Sequence, residues 1–254
     1  MQLQSANLAV EPETGEDVEA GFDRWFEVVP ADSPALLEEA YRLRYQVYCV
    51  ENAFEDPADN PDGLERDCYD SHAVHSLLVH RPTATVSGAV RLILPEADKP
   101  HDSLPIQRVC SQQLLQAVGP FDLARCAEIS RFAVSKKYRR RLGEHRFADV
   151  NWEHEAQADA SRRQLPYITL GLLRACLTMS IEHQITHLFA VMEPALIRLV
   201  RRFGMSFEPI GPLIDYHGKR QPCYAALKDL LAASQTHNRI FWDVGTDSGR
   251  LKLD

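Results

Sequence analysis

The sequence has no apolar run near the roughly 20 residues that cross a bilayer, and its first residues show no basic start followed by an apolar stretch. We therefore expect a cytoplasmic protein without a transmembrane segment. Basic side chains are also in deficit, with 28 Lys and Arg against 36 Asp and Glu, a formal net charge of -8. Because the phosphate backbone would be repelled over most of such a surface, general nucleic-acid binding is not expected.

The six cysteines are scattered without a C-x-x-C pair, so neither a zinc site nor a disulfide framework is expected. We predict that most of them are reduced packing residues and that no metal or tightly bound cofactor is required. The chain is 254 residues long and 45% hydrophobic, enough to bury a sizeable core.

Three segments are predicted along the chain. Residues 1–21 are polar and acidic and read as a flexible arm, residues 22–230 as the main domain, and residues 231–254 as a C-terminal extension. In the main domain, strands alternate with helices and strand pairs. This order predicts an α/β fold with a mixed central sheet flanked by helices.

The predicted elements follow from hydrophobic periodicity and from turn residues. Ser33 is a plausible N-cap for a helix with Pro34 at its first position. In chain order the other predicted elements are a strand Phe22–Pro30, a hairpin from Ser71 to Pro95, a helix near Cys110–Val118, a strand Cys126–Ser135, a polar helix Asn151–Arg163, a helix from Pro166, a strand Thr186–Met192, a helix Pro194–Gly204 and a hairpin from Gly211.

The stretch "ERDCYDSHAVH" crowds Glu65, Asp67 and Asp70 directly before a predicted strand. Aspartate is a poor strand former and like charges repel, so this crowding calls for an explanation. A solvated loop is the simplest one. A cluster of carboxylates held for binding or catalysis is the alternative.

Further charges lie within apolar strands, at Arg91, Glu128 and Arg131. A buried charge is costly unless it is paired, so we expect each to have a partner, and structural ion pairs are the simplest role. Strand alternation places Glu128 and Arg131 on opposite faces of the sheet. Only a β-bulge would bring both to one face.

Taken in order, these motifs resemble those of LuxI-type acyl-homoserine lactone synthases and N-acyl amino acid synthases. The motifs are "RYQVY", "DCYD", "GAVRL" and "EISRF". The chain also resembles, over about residues 22–230, the acyltransferases associated with PEP-CTERM/exosortase systems, in "RYQVYCVENAFEDP", "EISRFAVSKKYRRR" and "PIGPLIDYHGKRQPC".

The resemblance implies a GNAT-like fold in which a thioester donor lies between two splayed central strands and an amine attacks its carbonyl. Glu128 would be the catalytic base, because only a neutral amine is a nucleophile. Asp67 and Asp70 would orient the acceptor or fix the loop. The implied substrate-binding residues are Arg44, Tyr48, Arg91, Ser130, Arg131, Phe132 and Tyr216, with backbone N–H groups near Ser130 to Phe132 polarising the thioester oxygen.

The segment "SKKYRRRLGEHR" bears on the donor. Where GNAT enzymes that use acyl-CoA carry glycines to hold the pyrophosphate, this chain has Leu142 and Glu144. We therefore expect acyl carrier protein as the partner, with acyl-CoA as the other possible donor. The cluster that would dock the carrier and its phosphopantetheine is Lys136, Lys137, Arg139, Arg140, Arg141 and Arg146; a solvated basic face is the alternative.

The predicted reaction is transfer of a fatty acyl group from acyl carrier protein to the α-amine of an amino acid or derivative. One rival is an acyl-homoserine lactone synthase that uses S-adenosylmethionine. Another is a non-catalytic GNAT-like module that binds an acylated carrier. His72, His75 and His80 are read as ordinary strand and turn residues, because their spacing mixes faces.

Overall fold

The computed structural model describes residues 21–111, 115, 119, 122–139, 164–215 and 218–251. The strands are β1 Phe26–Pro30, β2 Ala73–His80, β3 Thr85–Ile93, β4 Cys126–Val134, β5 His187–Met192, β6 Glu208–Pro209, β7 Ile214–Asp215 and β8 Lys219–Ala226. The helices are α1 Pro34–Tyr45, α2 Ile106–Val109, α3 Lys136–Arg139, α4 Gln164–Glu182, α5 Pro194–Arg202, α6 Leu227–His237 and α7 Arg239–Thr246. A π-helical turn covers Gln46–Glu51, and a 3₁₀ turn covers Cys68–His72.

The strands form one mixed sheet in the order β1-β2-β3-β4-β5-β8-β6, with β7 also paired to β8. The pairing of β4 with β5 is parallel, whereas the other pairs are antiparallel. Helices α1 and α4 pack on this sheet. The predicted α/β fold with a mixed central sheet flanked by helices is confirmed.

The parallel pair separates partway along its length. Strands β4 and β5 are in register only from Cys126 with His187 to Ile129 with Ala190. Beyond that point β4 continues to Val134, while β5 stays paired with β8 as far as Met192. The two central strands therefore splay and leave an opening between them.

A β-bulge lies in β4 beside this opening. Arg91 is paired with Ser130 and Ala89 with Ala133, so Arg131 and Phe132 together oppose Val90. Arg131 has φ +49°, in the left-handed region that non-glycine residues rarely adopt. The bulge turns Arg131 to the face of the sheet that carries Ser130, where both side chains share contacts with the Arg91–Asp67 pair.

The beginning of the domain differs from the prediction. Residues 21–25 are helical, and only the second half of the predicted strand is extended, as β1. Phe22 and Phe26 are four residues apart, both are buried, and their rings are stacked with centroids 6.2 Å apart. An even spacing of aromatic residues satisfies both a strand and a helical turn, which is why the alternation pattern was misleading.

Several predicted elements are confirmed, namely α1, β5, α5 and the β7–β8 hairpin. The Ser33 side chain accepts a hydrogen bond from the N–H of Leu36 at 3.4 Å, as expected for the N-cap. A helix was predicted near residues 110–118. Helix α2 lies just before this range and ends at Val109, and within the range Leu115 is helical. Residues 112–114 and 116–118 lie outside the described residues. Residues 1–20 and 151–163 lie outside the described residues.

The C-terminal segment is helical and packs into the main core. Helix α6 crosses the predicted boundary at residues 230–231 without a break. Phe241 and Val244 of α7 are buried in the cluster that contains Leu172 of α4. Asn238 caps α7, since its side chain accepts the N–H of Phe241 at 2.9 Å. Residues up to Thr246 therefore belong physically to the same core as the sheet.

None of the helices in the described part of the chain is long and apolar enough to span a bilayer.

The packing of α7 predicts that Phe241→Ala destabilises the whole domain. Loss of a fully buried phenylalanine should lower the free energy of unfolding by about 3–5 kcal/mol. Chemical denaturation followed by far-UV circular dichroism should show one transition at a lower midpoint. Leu213→Ala is the control, because Leu213 is 50% exposed and should change stability little. A separate early transition that leaves the main transition unchanged would show that the extension folds on its own.

Candidate active site

Arg44 lies in the last turn of α1 and is almost completely buried, with 1% of its side chain exposed. Its Nε lies 2.6 Å from Oε2 of Glu65, and its Nη1 lies 2.7 Å from Oδ1 of Asp70. Glu65 is 2% exposed and comes from the long loop that follows the π-helical turn. These two ion pairs fix the loop against the helix.

The "DCYD" motif is the start of the 3₁₀ turn Cys68–His72. The Asp67 carboxylate accepts the N–H of Tyr69 at 2.9 Å, and the Asp70 carboxylate accepts the N–H of Asp67 at 2.8 Å. This reciprocal capping explains why two aspartates stand three residues apart. The carboxylates are placed at the N-terminus of a turn and not within a strand.

Both aspartates also bind Arg91, which is buried in β3. The Arg91 Nη1 lies 2.6 Å from Asp67 and 2.8 Å from Asp70, and its Nη2 lies 2.9 Å from the other Asp67 oxygen. The Arg91 Nε donates to Oγ of Ser130 at 2.9 Å. The expectation that Arg91 has partners is confirmed.

Arg131 completes the cluster from the bulge in β4. Its Nη2 lies 2.8 Å from Glu65, 3.0 Å from Glu55 and 3.3 Å from Asp67. Its guanidinium lies over the ring of Tyr48, 5.1 Å from the ring centroid. The arginine again has the expected partners, and the bulge is what permits them.

We call this cluster the arginine–carboxylate network; its members are Arg44, Arg91, Arg131, Glu55, Glu65, Asp67 and Asp70. Three guanidinium groups face four carboxylates, so the network carries one net negative charge. Burial alone would raise the pKa of Asp70, but its contacts with His75 and Arg44 and the charge of Arg91 hold it well below its usual range. Burial also opposes ionisation of Asp67, and Arg91 and Arg131 outweigh it.

These low pKa values make Asp67 and Asp70 poor proton acceptors at neutral pH. Of the two roles predicted for them, fixing the loop agrees with the geometry, because each accepts a capping hydrogen bond and binds arginine. Asp70 is almost buried, whereas Asp67 keeps a quarter of its side chain exposed. Asp67 is therefore the one that can face a ligand.

Glu128 is different, because it has no ion pair within 4.0 Å among the described residues. It is buried in β4, and its Oε2 accepts the N–H of Ile106 at 2.7 Å. Ile93 and Phe189 flank it on the neighbouring strands. Burial in this apolar setting raises the pKa of Glu128 to about 7, despite the Ile106 hydrogen bond and the charge of Arg91. Within the described ranges, the partner of Glu128 is a backbone N–H and not a charged side chain.

A carboxyl group with a pKa near 7 is suited to take a proton at neutral pH and give it up again. Glu128 lies at the end of the β4–β5 pairing, one residue before the strands separate. The backbone of Ser130 to Phe132 follows directly, past the last paired residue Ile129. Phe132 packs against the main hydrophobic core. The base and the opening are thus adjacent in one strand.

An open groove lies where β4 ends. It is lined by Gln46, Val50, Glu51, Ser135, Lys136 and Lys137. Glu51 accepts the backbone N–H of Lys136 at 3.1 Å. Arg140, Arg141, Arg146 and Tyr216, and the side chain of Arg139, lie outside the described residues.

In the described region, His72, His75 and His80 contact other groups of the protein. His72 contacts the carbonyl of Ser103 at 3.0 Å, and His80 contacts Thr83 at 2.8 Å. Burial lowers the pKa of His75, which lies 3.3 Å from Asp70. Within the described ranges no three His, Cys, Asp or Glu side chains are grouped so that they could hold a metal ion.

Sequence reasoning did not predict that Glu55 and Glu65 pair with Arg131, nor that the rings of Phe54 and Tyr48 lie 6.2 Å apart. The sequence marks Glu65 only as one of three crowded carboxylates, whereas in the structure it is the acceptor that Arg44 and Arg131 share. The number of charges in the sequence could have indicated these acidic partners. Three arginines in helices and strands need more carboxylate acceptors than Asp67 and Asp70 provide. Phe54 and Glu55 lie in a loop of unusual length, which is itself a sign of function.

Residues 43–148 match the family model described as an acetyltransferase (GNAT) domain. This segment contains Arg44, Arg91, Glu128 and Arg131. The chain has the GNAT fold. The family match supports the predicted enzyme class, an N-acyltransferase. Comparison with curated proteins gives no match.

Among solved structures, TofI in complex with an inhibitor and MTA is 19% identical, with a TM-score of 0.56 over 83% of this chain and 96% of TofI. BjaI, a CoA-dependent acyl-homoserine lactone synthase with SAM and isopentyl-CoA, is 19% identical, with a TM-score of 0.55 over 91% and 93% of the two chains. FeeM, an N-acyl amino acid synthase from uncultured soil microbes, is 15% identical, with a TM-score of 0.53 over 83% and 97%. At these identities the likeness concerns the fold.

The network predicts that Glu65→Gln is strongly destabilising. The change keeps the shape but replaces the buried carboxylate that Arg44 and Arg131 share with a neutral amide, so the free energy of unfolding should fall by about 3 kcal/mol or more. Glu38→Gln is the matched control, because the Glu38–Arg42 pair is exposed and should contribute less than about 0.5 kcal/mol. Urea denaturation of the three proteins measures both values. Equal stability of the two variants would contradict the assigned role of Glu65.

Proposed function

We propose that the protein is an N-acyltransferase that transfers a fatty acyl group from the thioester of acyl carrier protein to the α-amine of an amino acid or derivative. The observation that carries the proposal is Glu128, a buried carboxyl group with a pKa of about 7 beside the splayed strands β4 and β5. A group of this kind is what deprotonation of an ammonium requires at neutral pH.

The proposed reaction begins when ionised Glu128 takes a proton from the acceptor ammonium, directly or through a water molecule. The neutral amine then attacks the thioester carbonyl carbon, forming a C–N bond and an oxyanion. Backbone N–H groups near Ser130 to Phe132 would stabilise this oxyanion. Collapse of the intermediate breaks the C–S bond, and the second proton on the nitrogen passes to the thiolate, directly or through water, to give the amide and the free thiol. The proton held by Glu128 is released to solvent, which returns the carboxylate to its starting state.

The arginine–carboxylate network supports this chemistry in two ways. Its net negative charge favours an ammonium group over an anion near Asp67. Its ion pairs also fix the bulged segment of β4, which holds Glu128 and the proposed oxyanion donors in one strand. The network positions the site and does not itself exchange protons.

The preference for a carrier-protein donor has two supports. Leu142 and Glu144 stand where glycines would allow a close approach to a pyrophosphate. Lys136 and Lys137 line an open groove at the end of β4, where an acidic carrier protein would find complementary charge. BjaI is described as CoA-dependent, so acyl-CoA is the donor to compare with.

An acyl-homoserine lactone synthase that uses S-adenosylmethionine is the second candidate. It is favoured by the fold likeness to BjaI. The two reactions share the N-acylation step and differ in the lactonisation that follows. Association with an exosortase system remains a prediction from the sequence motifs.

The test is expression of the protein and of Glu128→Gln in a bacterial host, followed by mass spectrometry of lipid extracts. New N-acyl amino acids or acyl-homoserine lactones that are absent with the variant would establish the reaction and identify the acceptor. Soluble wild-type protein that binds acyl carrier protein but forms no new product would favour a non-catalytic binding module.

The pH dependence of turnover tests the role of Glu128. Because the base must be ionised, kcat/KM should rise about tenfold per pH unit below pH 7 and level off above about 7. Glu128→Gln should lower kcat about 100-fold or more and remove this rise. Steady-state rates between pH 5.5 and 8.5 measure both effects. A variant that keeps the wild-type pH profile would exclude Glu128 as the base.

The charge of the groove predicts donor selectivity. Reversing charge with Lys136→Glu and Lys137→Glu should raise KM for acyl carrier protein about tenfold, because favourable contacts become repulsive. KM for an acyl-pantetheine thioester without the protein should stay within about twofold. Arg201→Glu, an exposed arginine on α5, is the control. Equal effects on both donors would point to damage at the catalytic centre instead.

A further inference from the structure

A second charged pair lies on the other side of the opening between β4 and β5. Arg220 is the second residue of β8, and its Nη2 lies 3.0 Å from the carboxylate of Glu193, the residue before α5. Both side chains are largely buried, with 13% and 19% exposed. Such burial of an ion pair at the edge of an opening is costly unless it serves packing or a ligand.

An aromatic bridge joins this pair to the arginine–carboxylate network. The Arg220 guanidinium lies over the ring of Phe54 at 5.8 Å, and the Phe54 and Tyr48 rings lie 6.2 Å apart. Arg131 in turn lies over Tyr48 at 5.1 Å. Phe54 comes from the β1–β4 half of the fold and Arg220 from the β5–β8 half. The bridge therefore crosses between the two halves of the sheet.

Strand register places Arg220 on the face of Glu128. Phe189 of β5 is paired with Glu128 on one side and with Tyr224 of β8 on the other. Alternation along β8 puts Tyr224 and Arg220, four residues apart, on the same face. The side chains of Glu128 and Arg220 therefore lie on the same face of the sheet.

Arg220 differs from the network arginines in how its donors are used. Arg91 donates four hydrogen bonds through Nε, Nη1 and Nη2 to Ser130, Asp67 and Asp70. Arg220 has one close carboxylate contact, at Nη2, and a long contact of 3.4 Å from Nη1 to the carbonyl of Lys219. Within the described part of the chain its Nε makes no hydrogen bond. It thus keeps donors for a further anionic group.

We propose that Arg220 binds the carboxylate of the acceptor, which makes the acceptor an α-amino acid zwitterion. The inference rests on the proposed N-acyltransferase function. A zwitterion suits the charge layout, with its ammonium toward the net negative network and Glu128, and its carboxylate toward Arg220. Guanidinium and carboxylate groups match in geometry, so a free carboxylate is distinguished from an ester or an amide.

The experiment uses dodecanoyl acyl carrier protein as the donor. It compares amino acids as acceptors, S-adenosylmethionine among them, with the corresponding carboxamides. We expect Arg220→Gln to raise KM for the amino acid by about 10- to 100-fold, the loss expected for a charge-assisted pair. kcat, and KM for the carboxamide, should change less than about threefold. Arg201→Gln is the control for loss of an exposed arginine. Arg220→Lys, which keeps the charge, should recover part of the affinity.

The outcomes separate the two proposals. An equal rise in KM for amino acid and carboxamide, or no rise for either, would overturn the role of Arg220 while leaving the acyltransferase intact. A wild-type protein that acylates carboxamides as well as amino acids would do the same, without need of a variant. Failure of the wild-type protein to acylate any amine would overturn the proposed function itself, and this inference with it.

Discussion

The fold of the active region depends on burying three guanidinium groups next to four carboxylates. Each charge taken singly would cost several kcal/mol to remove from water. The ion pairs between them offset most of this desolvation free energy. The same ion pairs connect α1, the 3₁₀ turn, β3 and β4. The unusual backbone of Arg131 follows from this arrangement, because the side chain must leave the alternating pattern of β4 to reach Glu65.

The same arrangement separates two kinds of carboxylate. Glu65, Asp67 and Asp70 have arginine partners and stay ionised, whereas Glu128 lies three residues before the bulge in an apolar setting and holds its proton up to about pH 7. Acidic residues close together in space thus acquire opposite properties through their partners alone. Positioning and proton transfer are divided between them.

Sequence patterns predicted the elements that rest on periodicity or caps, such as the helix that Ser33 and Pro34 begin. They also identified Arg91, Glu128 and Arg131 as the charges to explain. They named Glu65 among the crowded carboxylates but did not assign it to Arg44 and Arg131, because its burial depends on contacts with helix and strand residues far along the chain. The helical turn at residues 21–25 was missed because Phe22 and Phe26 fit two periods equally well. The sequence showed that Glu128 and Arg131 could share a face of the sheet only if β4 had a bulge. The pairing of β4 with β3 was needed to establish that the bulge exists.

The burial of Phe241 has a consequence for synthesis in the cell. Strands β5 and β8 and helix α7 all come from the last third of the chain, and α7 packs against α4 and Phe203. While the ribosome is still translating this region, the first half of the sheet presents an uncovered apolar face and an unpaired edge at β4. Such an intermediate is prone to aggregation. A nascent chain stalled before residue 239 should therefore depend on chaperones that bind exposed apolar segments.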